Sequence, residues 1–410
     1  MTTSPRTLAI VLAGGQGQRL WPLTRDRAKP AVPFGGQYRL IDFALSNLVN
    51  AGFHRIFVLT QYKSQSLHHH IARAWPLSAG VGQFVTTVPA QMREGPHWFS
   101  GSADAVYQNL NIVRDDPSDH VAVFAADHIY RMDPAQMLEH HIDNGKALTI
   151  AGVQVPVSKA GDFGVMETEP DGTVRRFHEK PADPFGIFPP KALVHASMGN
   201  YIFDRAALIE ALQIDAADTS STHDLGADVI PSLVEQGLAG AYDFAAGVVP
   251  GQSERERGYW RDVGSIDAYH QASMDLVSVD PVFSLYNRAW PIFTHQEPLP
   301  PAKTVHESRE RSANVYNSLM SGGVIVSGGT VRCSILGPLA HIHSHAVVEN
   351  SVLMAGVSVG SGAIVRNAIL GEGLKVPAGA RVLGGEDADT DGYTVSSGGI
   401  VVVGAGDKVV

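Results

Sequence analysis

The sequence predicts an α/β chain: a Rossmann-like, mostly parallel sheet followed by a parallel β-helix. Three observations lead there. An apolar run, Leu8 to Ala13, opens directly into Gly14-Gly15-Gln16-Gly17, the pattern of a buried strand delivering bare backbone to the carboxyl edge of a sheet. Up to about Asp204, short apolar runs alternate with helical patterns, as they do where parallel strands are joined by crossover helices. Near the carboxyl end the helical signal vanishes, and apolar steps recur every six residues between Gly and Ser, the period of a hexapeptide coil.

Taken in order, Ile56 to Thr60, Val121 to Ala126, Leu148 to Val153 and Tyr201 to Phe203 read as further strands, with Asp42 to Asn50, Asp104 to Arg114 and Pro134 to Asn144 as helices between them. The span 280–312 is rich in proline and aromatics without periodicity, so an extended connector is expected there between a domain at 1–279 and a β-helix at 313–410. In that β-helix Val347, Leu353, Val359 and Val365 read as one column, and Val352, Ile364, Leu370, Val376 and Val382 as another. Subunits are expected to associate through such a stack.

Composition narrows the function. The 410 residues carry a formal net charge of -10, which argues against a general role on nucleic acid or an anionic membrane. Cys333 is the single cysteine, so no intramolecular disulfide framework exists and a reducing, cytoplasmic setting is expected. The apolar start is too short for a signal segment and no run reaches membrane-spanning length.

Local basic residues therefore point to small anions. Arg19, Arg25, Arg27 and Lys29 follow the glycine loop, which suits a polyanion such as a nucleoside triphosphate. The loop is neither G-x-G-x-x-G nor a Walker A sequence. Asp127 ends an apolar strand, where it either holds Mg²⁺ on a triphosphate or caps a turn. Asp262, in YWRDVG, reads by itself as a loop or cap residue, and nothing in its spacing brings it to Asp127. Glu179 and Lys180, ahead of a proline turn, are a solvated surface pair or a carboxylate for sugar hydroxyls beside an ammonium for a sugar phosphate. Gln91, in PAQ, and Gly101, in GSADA, could read a base edge or serve a turn. His68 to His70 and His341, His343 and His345 lack acidic or cysteine partners at ligand spacing, so solvated faces are favoured over metal ligation. A histidine on the coils as an acyltransferase base is a further reading.

Together these segments resemble the glucose-1-phosphate adenylyltransferases. The resemblance runs nearly the whole length, through LAGGQGQRL, RAKPAVPFGGQYRLIDFALSN, TQYKS, PAQ, WFSGSADAVYQN, ADHIYRMD, FGVME, EKPADP, ASMGNYIFD, STHDLGADVIP, YWRDVG, LPPAK and NSLMSGG. It implies a nucleotidyltransferase domain, a left-handed β-helix, and Mg²⁺-dependent formation of ADP-glucose and diphosphate from ATP and α-D-glucose 1-phosphate, an allosterically regulated step of glycogen synthesis. It further implies a cytoplasmic homotetramer controlled by sugar-phosphate or organic-acid effectors.

By the same resemblance Asp127 and Asp262 hold the metal, Arg19 and Lys29 gather the triphosphate, and Gly14, Gly15, Gly17, Gln91, Gly101 and Ser102 bind the nucleotide. Phe99, Gly164, Glu179, Lys180 and Ser197 match the sugar-phosphate pocket. Arg27, Arg39, Ser66 and Arg366 match effector-binding positions, and Gln61 and Trp98 match loop positions that transmit activation. Asp26 and Pro33 depart from the Lys and His of members activated by fructose 1,6-bisphosphate, Phe99 replaces a common Tyr, and Ser102 the usual Thr. Another nucleotide base, or a silent regulatory subunit, are the alternative functions.

Overall fold

The computed structural model describes residues 6–93, 95–385 and 392–409. Its first part is built on one nine-stranded sheet. The strands are β1 (Thr7–Ala13), β2 (Arg55–Thr60), β3 (Phe84–Pro89), β4 (His120–Ala125), β5 (Leu148–Pro156), β6 (Gly164–Thr168), β7 (Val174–Glu179), β8 (Leu193–Asp204) and β9 (Ala239–Asp243). They run in the order β7-β6-β8-β4-β1-β2-β3, with β5 along β8 and β9 beyond it.

β1 is central and parallel to both neighbours, Val11 lying opposite Val58 on one side and Phe124 on the other. Its residues alternate between two cores: Ala9, Val11 and Ala13 pack with Phe124, Met137 and Ile202, while Leu8 and Ile10 pack with Val106, Phe203 and Leu208. Burial on both faces explains why the strand reads as an unbroken apolar run. Because β1, β2, β3 and β4 are parallel, Gly14, Gln61, Gln91 and Asp127 all emerge near one edge, where α/β sheets receive ligands. β8 is antiparallel to β4, β5 and β6 and is bulged between Ser197 and Tyr201.

The helix at Pro134–Asn144 has the expected bounds: Asp133 accepts from Ala135 N, Pro134 opens the first turn, and Gly145 stands at φ 61° beyond the end. The stretch expected as one helix at 104–114 is instead two, Ser102–Tyr107 and Leu110–Asp115. Asn109 breaks it, its backbone at φ −115° and its amide donating to Ala105 O at 2.8 Å, the local competition typical of that residue.

The connector is fastened down. Arg131, wholly buried, pairs with Glu256 and donates to Trp290 O at 3.2 Å and Ser284 O at 2.8 Å. Beyond it the chain winds into a left-handed parallel β-helix of three sheets, parallel throughout except where Thr394–Val395 pairs antiparallel with Val401–Val403. Its first strand, Lys303–Val305, stacks on Ile325–Ser327. The apolar columns differ from the six-residue reading. Through the central coils stacked neighbours are 17 positions apart, as in the serine ladder where Ser351 N donates to Ser334 Oγ and Ala368 N to Ser351 Oγ, whereas Leu319 stacks on Ile335 and Leu370 on Val403. Residues six apart lie on successive faces of the coil, and the true columns are sets such as Val331, Val348, Val365 and Val382. On the third face Leu336, Leu353, Leu370 and Val403 fill the coil, whereas Ile335, Val352, Ile369 and Val402 face outward onto Leu20, Phe34, Phe43 and Tyr269. Both sides of that face are apolar, so the β-helix is docked against the sheet domain of its own chain.

Candidate active site

The glycine loop is shaped by two different demands. Gly17 stands at φ 64°, and a Cβ there would meet Lys29 Cβ at 2.8 Å and Thr24 Cγ2 at 3.1 Å, so no other residue fits without displacing Lys29. Thr24 Oγ1 donates to Gly17 O at 2.9 Å. Gly15, by contrast, faces open space, leaving its backbone free for a ligand.

Lys29 is buried, yet its ammonium lies 2.6 Å from Asp127 Oδ2 and 3.2 Å from Asp262 Oδ1. Asp262 arrives on a short antiparallel ribbon, Trp260–Asp262 against His128–Tyr130, with Asp262 opposite His128. Burial alone would lower the Lys29 pKa; the two carboxylates override it and hold it above its ordinary value. Burial likewise would raise Asp127, and Lys29 with His128 holds it well below the carboxylate range instead. Asp127, His128 and Asp262 offer ligand atoms within 4.8 Å of one another. A Cβ on Gly264 would sit 2.7 Å from Asp262 Oδ2 and 3.0 Å from Arg19 Nη2, so the exposed Arg19 guanidinium also reaches this corner.

A cavity of about 580 Å³ extends from here, lined among others by Gly14, Gly15, Lys29, Gln61, Phe99, Gly101, Ser102, Asp127, Lys180 and Asp224. Gln61 accepts from Phe99 N at 2.7 Å and donates to Phe99 O at 3.2 Å, pinning that loop. Gly101 is glycine for packing: a Cβ would fall 2.1 Å from His223 O. Ser102 Oγ donates to Asp224 Oδ2 and accepts from Leu225 N, both at 2.8 Å. Asp224, which sequence reasoning missed, therefore joins the cavity wall to the turn it caps through Gly226 N and Ala227 N. Its only sequence signal is an acidic residue ahead of an apolar helical start.

Glu179 ends β7 opposite Gly164, and Cβ atoms on Gly164 or Gly226 would come within 2.8 Å and 2.7 Å of its Oε2. Two glycines thus make room for one carboxylate. Lys180, at φ 40° and exposed, lies 2.5 Å from Glu179 Oε1. Ser197 Oγ, at the β8 bulge, is 3.3 Å from Tyr201 OH. Gln91 is exposed, outside the residues lining the cavity, and takes up Arg93.

The effector candidates fall on both sides of the domain contact. Arg27 makes a two-pronged pair with Glu372, both contacts 2.8 Å, and Arg25 pairs with Asp407 at 2.6 and 3.0 Å. Arg39 donates to Ala31 O and, with Pro33 and Glu372, lines a second cavity of about 350 Å³. Burial and the neighbouring Arg27 charge lower its pKa. Ser66 Oγ is buried without a hydrogen-bond partner. Asp26 and Trp98 are exposed, and Arg366 sits on the coil surface 2.7 Å from Glu349. The expectation of solvated histidines fails within His68 to His70: His68 Nε2 meets Thr60 Oγ1 at 2.7 Å, and His70 is buried 2.6 Å from Asp42.

Residues 8–279 match the nucleotidyl transferase family and 300–403 the GlmU-like C-terminal hexapeptide family. Glucose-1-phosphate adenylyltransferase of Frankia casuarinae is 58% identical over 98% of both chains. The protein of the same name from Acidothermus cellulolyticus is 56% identical over 98% of both, and that of Corynebacterium glutamicum 52% over 98% of this chain and 97% of its own. With a glycine loop, paired aspartates and docked β-helix in place, the chain belongs to the glucose-1-phosphate adenylyltransferase family.

Proposed function

We propose that the chain transfers the adenylyl group of ATP to α-D-glucose 1-phosphate, releasing diphosphate. The observation that carries this is Lys29 held between Asp127 and Asp262 at the mouth of the glycine-loop cavity. The sugar phosphate oxygen attacks the α-phosphorus, a new P–O bond forms, and the bond to the β-phosphate breaks with its electron pair leaving on diphosphate. No covalent nucleophile is needed, but two polyanions must meet, at about 4 kcal/mol per contacting charge pair at an effective dielectric near 20. Charge neutralisation is therefore the main task of the site.

Asp127 and Asp262 present hard carboxylate oxygens, the donor set Mg²⁺ prefers, and would hold it. When bound, Mg²⁺ screens the triphosphate. Lys29 and Arg19 gather the phosphates and stabilise the departing diphosphate, over the backbone N–H groups of Gly14, Gly15 and Gly17. Gly101 and Ser102 serve the base side, which Gln91, outside the cavity's lining, would reach by releasing Arg93. Lys180 grips the sugar phosphate while Glu179, Gly164, Ser197 and Phe99 enclose the sugar. Effectors act at the domain contact through Arg27, Arg39, Ser66 and Arg366, with Gln61 and Trp98 relaying the change. The working form is a cytoplasmic homotetramer.

Diphosphate release is to be measured with ATP, glucose 1-phosphate and Mg²⁺, beside UTP, GTP and dTTP. Asp127→Asn should remove most of the rate with the melting temperature retained. No turnover with any nucleotide, in the presence of sugar-phosphate and organic-acid effectors, would refute the reading.

A further inference from the structure

A second cluster of metal-ligating side chains lies at the opposite end of β4 from Asp127. His120 begins β4, Asp204 ends β8 directly across from it in the register, and His141 comes from the helix Pro134–Asn144. His120 Nδ1 is 3.2 Å and His141 Nε2 3.3 Å from Asp204 Oδ1, and the three ligand atoms lie within 4.8 Å of one another. We infer that His120, His141 and Asp204 form a binding site for a divalent late transition metal of the Zn²⁺ type, stapling two strands to a helix.

Three features carry the inference. Ligands about 2.0 Å from a tetrahedral Zn²⁺ stand about 3.3 Å from each other, the spacing Asp204 keeps to both rings, to His141 through a hydrogen bond that the ion would replace. His120 Nδ1 is buried and close to the carboxylate, yet it has no hydrogen-bond partner. A buried imidazole nitrogen left without a hydrogen bond is available to an ion. His141 is oriented through its other nitrogen, Nδ1 lying 2.8 Å from Thr149 Oγ1, which also accepts from Asn144 Nδ2. Support of the second ring nitrogen by a neighbouring polar group is the usual outer shell of a metal-bound histidine.

Two imidazoles and one carboxylate select Zn²⁺, Co²⁺ or Ni²⁺ over Mg²⁺, which favours all-oxygen surroundings. The site is thus distinct in preference from Asp127 and Asp262. Asp204 is 48% exposed, so the cluster is open to solvent on its carboxylate side.

The test is Co²⁺ titration of the full chain, freed of metal with EDTA and kept in excess Mg²⁺. One equivalent of Co²⁺ should give the intense visible bands of four-coordinate cobalt, displaced by Zn²⁺, and Zn²⁺ should raise the melting temperature. His120→Gln and Asp204→Asn, both at partly exposed positions, should lose the bands and weaken Zn²⁺ binding at least tenfold while far-UV circular dichroism stays unchanged. Asp127→Asn should keep them. Absence of bands in the unaltered protein, bands that survive both substitutions, or bands lost in Asp127→Asn would each overturn the inference.

Discussion

Arg27 grips Glu372 with both guanidinium nitrogens across the contact between sheet domain and β-helix. One residue separates it from Ala28's neighbour Lys29, itself fixed to Asp127 and Asp262. Lys63 Nζ donates to Thr24 O and Arg25 O on the same stretch. The stretch from Arg25 to Lys29 is thereby tied to the β-helix through Arg27 and to Asp127 and Asp262 through Lys29. A change in docking at Glu372 has a short covalent path to the ammonium.

Glu372→Gln should therefore loosen the domain contact. The pair is partly buried, placing its worth between the ~0–1 kcal/mol of exposed pairs and the ~3–5 kcal/mol lost on breaking buried ones, at about 2 kcal/mol. Burial would raise the Glu372 pKa, but Arg27 with Arg39 holds it below the ordinary value. Its contribution is then complete above the unfolded value of about 4.3 and fades as pH falls through the lower folded value. Melting curves of the two proteins should differ by a constant amount above about pH 5 and converge in stronger acid. A gap that widens in acid contradicts the assignment.

Lys29→Gln should lower kcat by about 10²–10³, the usual loss when a placed charge-stabilising group is removed. Its pKa is raised from an already high value and that of Asp127 lies below the carboxylate range, so neither group changes charge near neutrality. The ratio of the two proteins' rates should accordingly be flat between about pH 6 and 9. A ratio that varies steeply there would show that another group, and not the Lys29 charge, limits turnover.

Much of this arrangement was readable from local signals. The strand, glycine loop and following basic residues announce themselves within one short segment, and the helix at Pro134–Asn144 carries its own cap, proline and terminal glycine. What stayed hidden depends on residues far apart in the chain. Nothing beside Asp262 says that a ribbon pairing will set it opposite His128, and nothing beside Ser102 names Asp224 as its partner. The coil columns are not legible from the local six-residue step, because stacking is set by the full turn, 17 residues in the central coils. The burial of His70 is not legible locally, because its partner, Asp42, belongs to another helix.

Gln61→Ala should act on the loop rather than on the chemistry. Removal of the side chain leaves Phe99 N and O without the two bonds that pin them, at about 1 kcal/mol each. Amide hydrogen exchange at Phe99 should quicken, and the KM for ATP should rise several-fold with a smaller change in kcat. Unchanged exchange would mean that Gln61 does not order this loop.

Gly15 and Gly17 separate two reasons for glycine within one loop. Gly17→Ala places a Cβ 2.8 Å from Lys29 Cβ at a left-handed backbone position. The conformation alone costs about 1 kcal/mol, and the contact pushes Lys29 from its aspartates, so stability and kcat should fall together. At Gly15 a Cβ meets nothing, so Gly15→Ala should melt as the unaltered protein does. Its added methyl would stand at the face of the loop proposed to receive the triphosphate, and KM for ATP should rise about tenfold, a penalty of about 1.4 kcal/mol. Thermal melts and initial-rate kinetics on both variants check the pair. A Gly15→Ala protein with unchanged KM would remove the loop from the nucleotide site, whatever Gly17→Ala does.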